Sequence, residues 1–210
     1  MEYPLVKKAQ LNRYPIYLHY LILKRNSNVK YISPTDISKD LKLSKEAIRK
    51  DFQAVSKEEG IRKKGREINQ LISDIEEFLG LKKHTKAILI GAGNIGKAIL
   101  SFKGFSNYSI SIVAAYDKDP KVIGTKVNNI PIYDIKDLKK DNSIGVAIIA
   151  VPSEQAQSTA DLVIKNGIKA IYNLSPVYLV AGDDVIIETL DIASSIAYLL
   201  RKLKLRGDTK

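Results

Sequence analysis

The chain has 210 residues, 45% of them hydrophobic and 27% charged, with a formal net charge of +11. That length suits two small domains, and that composition excludes a disordered or collagen-like chain. Cysteine is absent and histidine occurs only as His19 and His84, so neither disulfides, thiolate catalysis nor a metal centre is expected.

No window approaches the roughly 18 consecutive apolar residues of a membrane span, and MEYPLVKKAQ at the N-terminus lacks the apolar core of a signal peptide. The expectation is a cytoplasmic protein with no membrane partner. The positive charge is unevenly spread: residues 1–66 hold 16 Lys and Arg against 7 Asp and Glu, and the remainder 18 against 16. A basic front half is a candidate docking surface for a polyanion.

In chain order, Leu11, Tyr14, Leu18, Leu21 and Ile22 recur at three- and four-residue steps and predict an amphipathic helix over 11–23. Pro15 marks either a kink in it or the first turn of a later start. Ser33-Pro34-Thr35-Asp36 is a helix start, with Ser as N-cap, Pro at the first position and Asp three residues on, for a short helix to Leu41. Ser44 is a second N-cap, and Lys45 to about Val55 carries Ala47, Ile48, Phe52 and Val55 on one face. Gly60 to Arg66 sets four cations among two glycines, the composition of a solvent-facing hairpin tip. Leu71 to Leu79 reads as a linker helix ended by Gly80.

From Lys86 strands and helices alternate. Strands are expected at 87–90, 109–116, 144–151, 170–174 and 185–187, and helices at 94–100 and 153–166. Strands apolar on both faces imply a parallel sheet covered by helices. A last helix, about Ile192 to Leu203, is apolar at Ile192, Ile196, Leu199, Leu200 and Leu203. Such a terminal stripe is commonly buried against another subunit.

Two constellations carry chemistry. Gly91-Ala92-Gly93-Asn94-Ile95-Gly96 follows an apolar strand and opens a helix, the context in which GxGxxG signifies a dinucleotide site. The first glycine permits the tight turn, the second the approach of a pyrophosphate, the third close helix packing, and the helix N-terminus meets the phosphates. Asp117, at the end of the next strand, suits the adenosine ribose and would repel a 2′-phosphate, which favours NAD(H), although Lys118 softens that preference. No residue beyond His84 forms a recognisable acid-base pair for hydride transfer, and too little chain remains for a substrate domain, so binding without turnover is expected and no catalytic residue is assigned. In the front half, Lys45, Arg49 and Lys50 lie on the second helix of a helix-turn-helix, where Arg reads guanine and Lys meets phosphate. Arg62, Lys63, Lys64 and Arg66 form the wing. A merely solvated cationic face is the alternative, and the coincidence of capped helix pair, cationic second helix and basic hairpin points instead to DNA.

A winged helix followed by an NAD-type Rossmann domain and a terminal apolar helix resembles the bacterial redox-sensing repressor family Rex. The resemblance is carried by residues 48–52 (IRKDF), 88–96 (ILIGAGNIG), 116–124 (YDKDPKVIG), 130–133 (IPIY), Val151-Pro152, 167–176 (GIKAIYNLSP) and 190–193 (LDIA). It implies an α/β protein with an N-terminal winged helix-turn-helix domain at 1–80, a Rossmann-like parallel-sheet NAD(H)-binding domain at 81–190, and a C-terminal dimerisation helix at 191–210 exchanged between subunits. It further implies a homodimer on a palindromic double-stranded DNA operator, released by NADH while NAD+ competes without releasing. Ser44, Lys45, Arg49, Lys50 and Gln53 would face DNA with the wing cations. The glycine loop, Phe102, Phe105, Asp117, Lys118, Gly124, Val151, Pro152, Asp191 and Ile192 would face the cofactor, Asp191 reaching into the neighbouring subunit.

The chain departs from the family pattern at His19, where an arginine is usual, at Phe102, where tyrosine is usual, and at Ile192, usually aromatic. Gln53-Ala54-Val55 and Arg66 depart around the recognition helix and wing. These changes touch the redox response and the operator sequence. Two alternatives stay open at this point: a Rex-like DNA-binding paralogue with altered redox sensing, answering to another adenine nucleotide, and a small NAD-dependent dehydrogenase with a basic extension.

Overall fold

The computed structural model describes residues 6–56, 60–61 and 64–207. The chain divides into two compact units, Met1–Lys83 and His84–Lys210.

The front unit opens with two helices where one was expected, α1 (Lys8–Leu11) and α2 (Tyr14–Asn26). Pro15 lies in the first turn of α2, where its missing N–H costs nothing. Leu11 is consequently outside the core, and Tyr17 joins Tyr14, Leu18 and Leu21 in the buried stripe. After the short strand β1 (Tyr31–Ile32), α3 (Pro34–Leu41) starts on a full capping box: Ser33 Oγ accepts from the Asp36 N–H, and the Asp36 carboxylate accepts from the Ser33 N–H at 3.0 Å. Lys42 makes the turn in the left-handed region (φ 56°), and α4 (Lys45–Val55) begins at Ser44, whose Oγ accepts from the Ala47 N–H.

Strand β2 (Arg66–Glu67) pairs antiparallel with β1. Gly65 is obligatory at this junction, because its φ is +88° and a Cβ there would stand 2.2 Å from the Ile32 carbonyl oxygen. The supposed linker helix is longer: α5 (Ile68–Phe78) buries Ile68, Leu71, Ile72 and Ile75 in the front core, and Phe78 packs its ring on Tyr14. The expected start at Leu71 missed its first turn, which follows the hairpin almost directly. It ends at Gly80 in a Schellman motif, with Leu81 N–H donating to Glu76 O at 2.7 Å and Gly80 N–H to Glu77 O at 3.0 Å.

Among the described residues the rear unit carries a sheet of seven strands. They are β3 (Thr85–Ile90), β4 (Ile110–Asp117), β5 (Lys126–Val127), β6 (Ile130–Asp134), β7 (Ile144–Ile149), β8 (Ala170–Asn173) and β9 (Ile186–Thr189), in the order β5-β6-β4-β3-β7-β8-β9. All neighbours are parallel except β5 and β6. Without β5 this is the doubly wound 3-2-1-4-5-6 order, whose ligand crevice lies where the chain reverses direction across the sheet.

Alternate residues of each strand enter opposite cores. Ile88, Ile90, Ala147 and Ile149 pack with Ala160 and Val163 of α7 (Ser153–Lys165), while Ala87, Leu89, Ala115 and Ile148 pack with Leu100 of α6 (Asn94–Ser101). The pattern expected of a sheet covered on both faces is therefore present. The β5–β6 hairpin was not foreseen: Pro131 disguises the strand, and Asn128 and Asn129, both at positive φ (49° and 66°), make its two-residue turn. Helix α8 (Ile192–Gly207) closes the chain, with Ile192, Ile196, Leu199, Leu200 and Leu203 all more than half exposed. None of the helices among the described residues is long and apolar enough to cross a membrane.

Candidate functional site

A cleft of about 800 Å³ opens at the C-terminal ends of β3, β4 and β7, within the range of small-molecule sites. The three motif glycines have the separate duties expected of them. Gly91 turns at φ +98° with the Ala150 carbonyl 2.4 Å from where a Cβ would be. A Cβ on Gly96 would stand 1.9 Å from the Gly91 carbonyl oxygen, so α6 lies as close to the loop as backbone permits. At Gly93 a Cβ would meet nothing within 4 Å, and the residue lines the cleft. The N-terminus of α6, capped by no side chain, begins at this glycine; α7 likewise starts without a side-chain cap, at Pro152. Unsatisfied N–H groups and the helix dipoles make such ends attractive to anions.

Asp117 is bound more tightly into the protein than the sequence suggested. Its Oδ2 accepts the Ala92 N–H at 2.6 Å, and its Oδ1 accepts Lys118 N–H at 2.7 Å and Asp119 N–H at 2.9 Å. The carboxylate ties the end of β4 to the glycine loop and keeps an acceptor position on Oδ2 for a hydroxyl, since each carboxylate oxygen offers two lone pairs. Around it the cleft is lined by apolar Val122, Ile135 and Leu162, by Tyr116, and by Lys97, Gln155, Ser158 and Thr159. Burial is the main reason the Tyr116 hydroxyl is pushed above its usual pKa. None of these eight is among the expected site residues. The i, i+3, i+4, i+7 run Gln155, Ser158, Thr159, Leu162 on α7 is the signal that would have found four of them.

Of the expected cofactor residues, Gly91, Ala92, Gly93, Asp117, Lys118, Val151 and Pro152 line this cleft. Asn94, Ile95 and Gly96 form the first turn of α6, and Gly124 (φ +81°) lies in the loop after β4, beyond Val122. Phe102 and Phe105 are elsewhere: they meet edge to face at 5.3 Å and line a second groove with Ile99, Leu100, Ile110 and Ile130. Asp191 caps α8, accepting from the Ser194 N–H at 3.0 Å and from the Ser194 hydroxyl, and these hydrogen bonds hold its carboxyl below the usual range. Ile192 is 64% exposed beside it.

In the front unit α4 turns Lys45, Arg49, Lys50 and Gln53 outward, with Ser44 exposed at its N-cap, while Ile48, Phe52 and Val55 face the core. Glu46 shares the exposed face and was not anticipated there; a hydrogen bond from the Ser44 hydroxyl adds to its own backbone in lowering its pKa. Ile61 and Gly65 close the hairpin, Ile61 N–H donating to Gly65 O at 2.7 Å, and exposed Lys64 stands 5.8 Å over the Tyr31 ring. Arg62 and Lys63 lie outside the described residues. Arg66 departs from its expected outward role: it is half-buried, and its guanidinium donates to Ser56 Oγ at 2.6 Å, which donates to the buried Asp74 at 3.0 Å. It braces the wing against α5.

The recognition helix is braced in the same manner. Asp51, 2% exposed, accepts from Arg13 Nε at 2.6 Å, from Arg13 Nη2 at 2.8 Å and from the Tyr17 hydroxyl at 2.7 Å. Burial, then the bond to Asp51, raises the Tyr17 hydroxyl pKa, so it remains a donor. No group of three or more His, Asp or Glu among the described residues could hold a metal ion.

A winged helix-turn-helix with a cationic reading helix, joined to a Rossmann unit whose glycine loop opens a cleft, defines a two-domain class in which a nucleotide-type fold accompanies a DNA-binding fold. The family profile described as "CoA binding domain" matches residues 82–177, and that described as "Putative DNA-binding protein N-terminus" matches 6–53. The chain is similar to the redox-sensing transcriptional repressor Rex of Treponema denticola, 36% identical with 90% of this chain and 91% of the relative covered. It is also similar to that of Bacteroides fragilis, 32% identical over 94% and 91%. The crystal structure of RSP in complex with β-NAD+ and operator DNA superposes with a TM-score of 0.86 at 30% identity, covering 98% of this chain and 99% of that one. RSP in complex with β-NADH gives 0.84 at the same identity and coverage. The chain belongs to the family of redox-sensing transcriptional repressors Rex.

Proposed function

We propose that this protein is a cytoplasmic homodimeric repressor that binds a palindromic operator through its front unit and lets go when its rear unit takes up NADH. One observation carries the reading: over nearly its whole length the chain matches a repressor solved with β-NAD+ and operator DNA, and its own cleft has the geometry such a dinucleotide requires. It is a repressor and not an enzyme, and neither the dehydrogenase alternative nor the redox-blind paralogue is favoured by relatives named for redox sensing.

The residues fit the cofactor. The N–H groups at the start of α6 hold the pyrophosphate beside Gly93, Asp117 accepts a ribose hydroxyl on Oδ2, and Val122, Ile135 and Leu162 offer an apolar wall to adenine. Bound there, NAD(H) supplies a nicotinamide ring that is cationic when oxidised and neutral when reduced. The protein releases the operator only if its DNA-incompetent arrangement holds NADH better than its competent one. A tenfold to hundredfold loss of DNA affinity needs a coupling of about 1.4 to 2.8 kcal/mol, which one or two differential hydrogen bonds supply.

On DNA, Arg49 and Gln53 address base edges, while Ser44, Lys45, Lys50 and Lys64 meet the phosphate backbone. We assign Arg62 and Lys63 to the wing by their charge, Gly124 to the adenosine side of the cleft beyond Val122, and Asp191 and Ile192 to the nicotinamide end of a pocket completed by the partner subunit; Phe102 and Phe105, in the second groove, are not assigned to it. The exposed apolar stripe of α8 is the dimerisation surface, exchanged between subunits. Domain limits of 1–80, 81–190 and 191–210 describe these three tasks.

The test is fluorescence anisotropy with a palindromic duplex selected by the protein from a randomised pool, repeated with NADH, NAD+ and at several salt concentrations. Release by NADH at concentrations where NAD+ leaves the complex intact is expected. Equal effects of the two cofactors, or none, would refute the sensor.

A further inference from the structure

The Asp51 carboxylate is buried in the very helix that reads DNA, and its partners all come from one side. Arg13 grips both oxygens, Tyr17 donates to Oδ2, and the Tyr14 hydroxyl donates to the Asp51 backbone carbonyl at 2.9 Å. Arg13 is itself tethered, its Nη1 donating to the Ala9 carbonyl at 2.9 Å. Among the described residues every donor belongs to the N-cap or the first turn of α2, and the opposite face of α4 carries Lys45, Arg49 and Gln53.

Stability alone does not account for the cluster, because a buried ion pair is commonly no better than apolar side chains of the same volume. Its distinctive contribution is direction. Apolar contacts of Ile48, Phe52 and Val55 hold α4 in place but are non-directional, and they tolerate small rolls about the helix axis. A roll of about 20° moves a side-chain tip on the far face by about 2 Å, given a helix radius with side chains of about 6 Å. A hydrogen bond to a base edge does not survive that displacement, whereas a cation near a phosphate does.

We propose that the Arg13–Asp51–Tyr17 cluster is a positioning device for sequence readout: it locks the roll of α4 so that Arg49 and Gln53 address base edges, without itself touching DNA. This rests on the reading of α4 as the recognition helix. The cluster belongs to specificity and leaves non-specific affinity to the cations.

The experiment uses the full-length protein with the triple substitution Arg13→Met, Tyr17→Phe, Asp51→Leu, which conserves volume and leaves no buried polar partner alone. Affinity is measured by anisotropy for the selected duplex and for a shuffled duplex of the same composition, at several salt concentrations, beside thermal melts. The expected result is a melting temperature close to wild type, unchanged affinity and salt slope on the shuffled duplex, and at least about tenfold weaker binding to the selected duplex. Arg13→Lys, which keeps the charge and loses the two-pronged grip, should lose about three- to fivefold on the selected duplex alone. A folded triple variant with the wild-type ratio of selected to shuffled affinity overturns the proposal, as does a parallel loss on both duplexes that tracks melting temperature. Should the triple variant not fold, Arg13→Lys decides: an unchanged ratio overturns the positioning role. A wild-type protein that prefers no duplex over another overturns the proposed function, and this inference with it.

Discussion

The two units present themselves to anions with opposite materials. In the rear unit the site is made of backbone: a loop whose glycines permit one conformation, two helix N-termini, and an aspartate whose carboxylate is bonded to three amides. In the front unit the site is made of long side chains on an exposed helix face, and precision comes from buried carboxylates behind it, Asp51 on the inner face of α4 and Asp74 behind the wing. A backbone site is pre-organised and fails by steric intrusion. A side-chain site is adaptable and fails by loss of charge or of alignment.

That contrast can be broken or sharpened by mutation. The largest effect is expected from Gly96→Val, whose Cβ must displace the Gly91 carbonyl. Calorimetry should show NADH affinity falling at least about a hundredfold, equivalent to about 2.8 kcal/mol, while the shuffled duplex is bound as before. Loss of DNA binding as well would mean that the units are not separable in this way. Arg49→Ala comes next, with an expected loss of about 1 to 3 kcal/mol on the selected duplex and relaxed preference at one base position, NADH affinity staying constant. A uniform loss across all duplexes would reassign Arg49 to phosphate.

The smallest effect concerns the scaffold. Ser33→Ala removes the capping box of α3 and should cost about 1 kcal/mol of front-unit stability in thermal melts. Its pH signature follows from Asp36, whose pKa is lowered from 3.8 first by the Ser33 hydroxyl and then by the Ser33 backbone N–H. A depressed folded-state pKa contributes stability above the unfolded value that is lost as pH falls through the folded one. Wild type should therefore lose more melting temperature on acidification than Ser33→Ala, and identical acid limbs would show that the cap contributes nothing.

Much of the local chemistry was legible. The caps at Ser33 and Ser44, the end of α5 at Gly80, the division of labour among Gly91, Gly93 and Gly96, and the outward row Lys45, Arg49 and Lys50 all follow from residues within about one turn of each other. The β5–β6 hairpin escaped because a proline and two asparagines obscure a strand only two to five residues long. Arg66 was misplaced because a cation beside a glycine reads as a loop tip when Asp74, on the next helix, is not seen.

By itself the sequence determined most of the longer elements, their order and the two chemistries at stake, because hydrogen bonding at helix ends and apolar alternation act over a few residues. Tertiary structure alone decided that Arg13 meets Asp51 across 38 residues, that Asp117 closes onto Ala92 across 25, and that Phe102 lies in a groove apart from the glycine loop. Such pairs depend on which faces the cores bring together, and a buried charge has no local signature until its partner arrives to satisfy it.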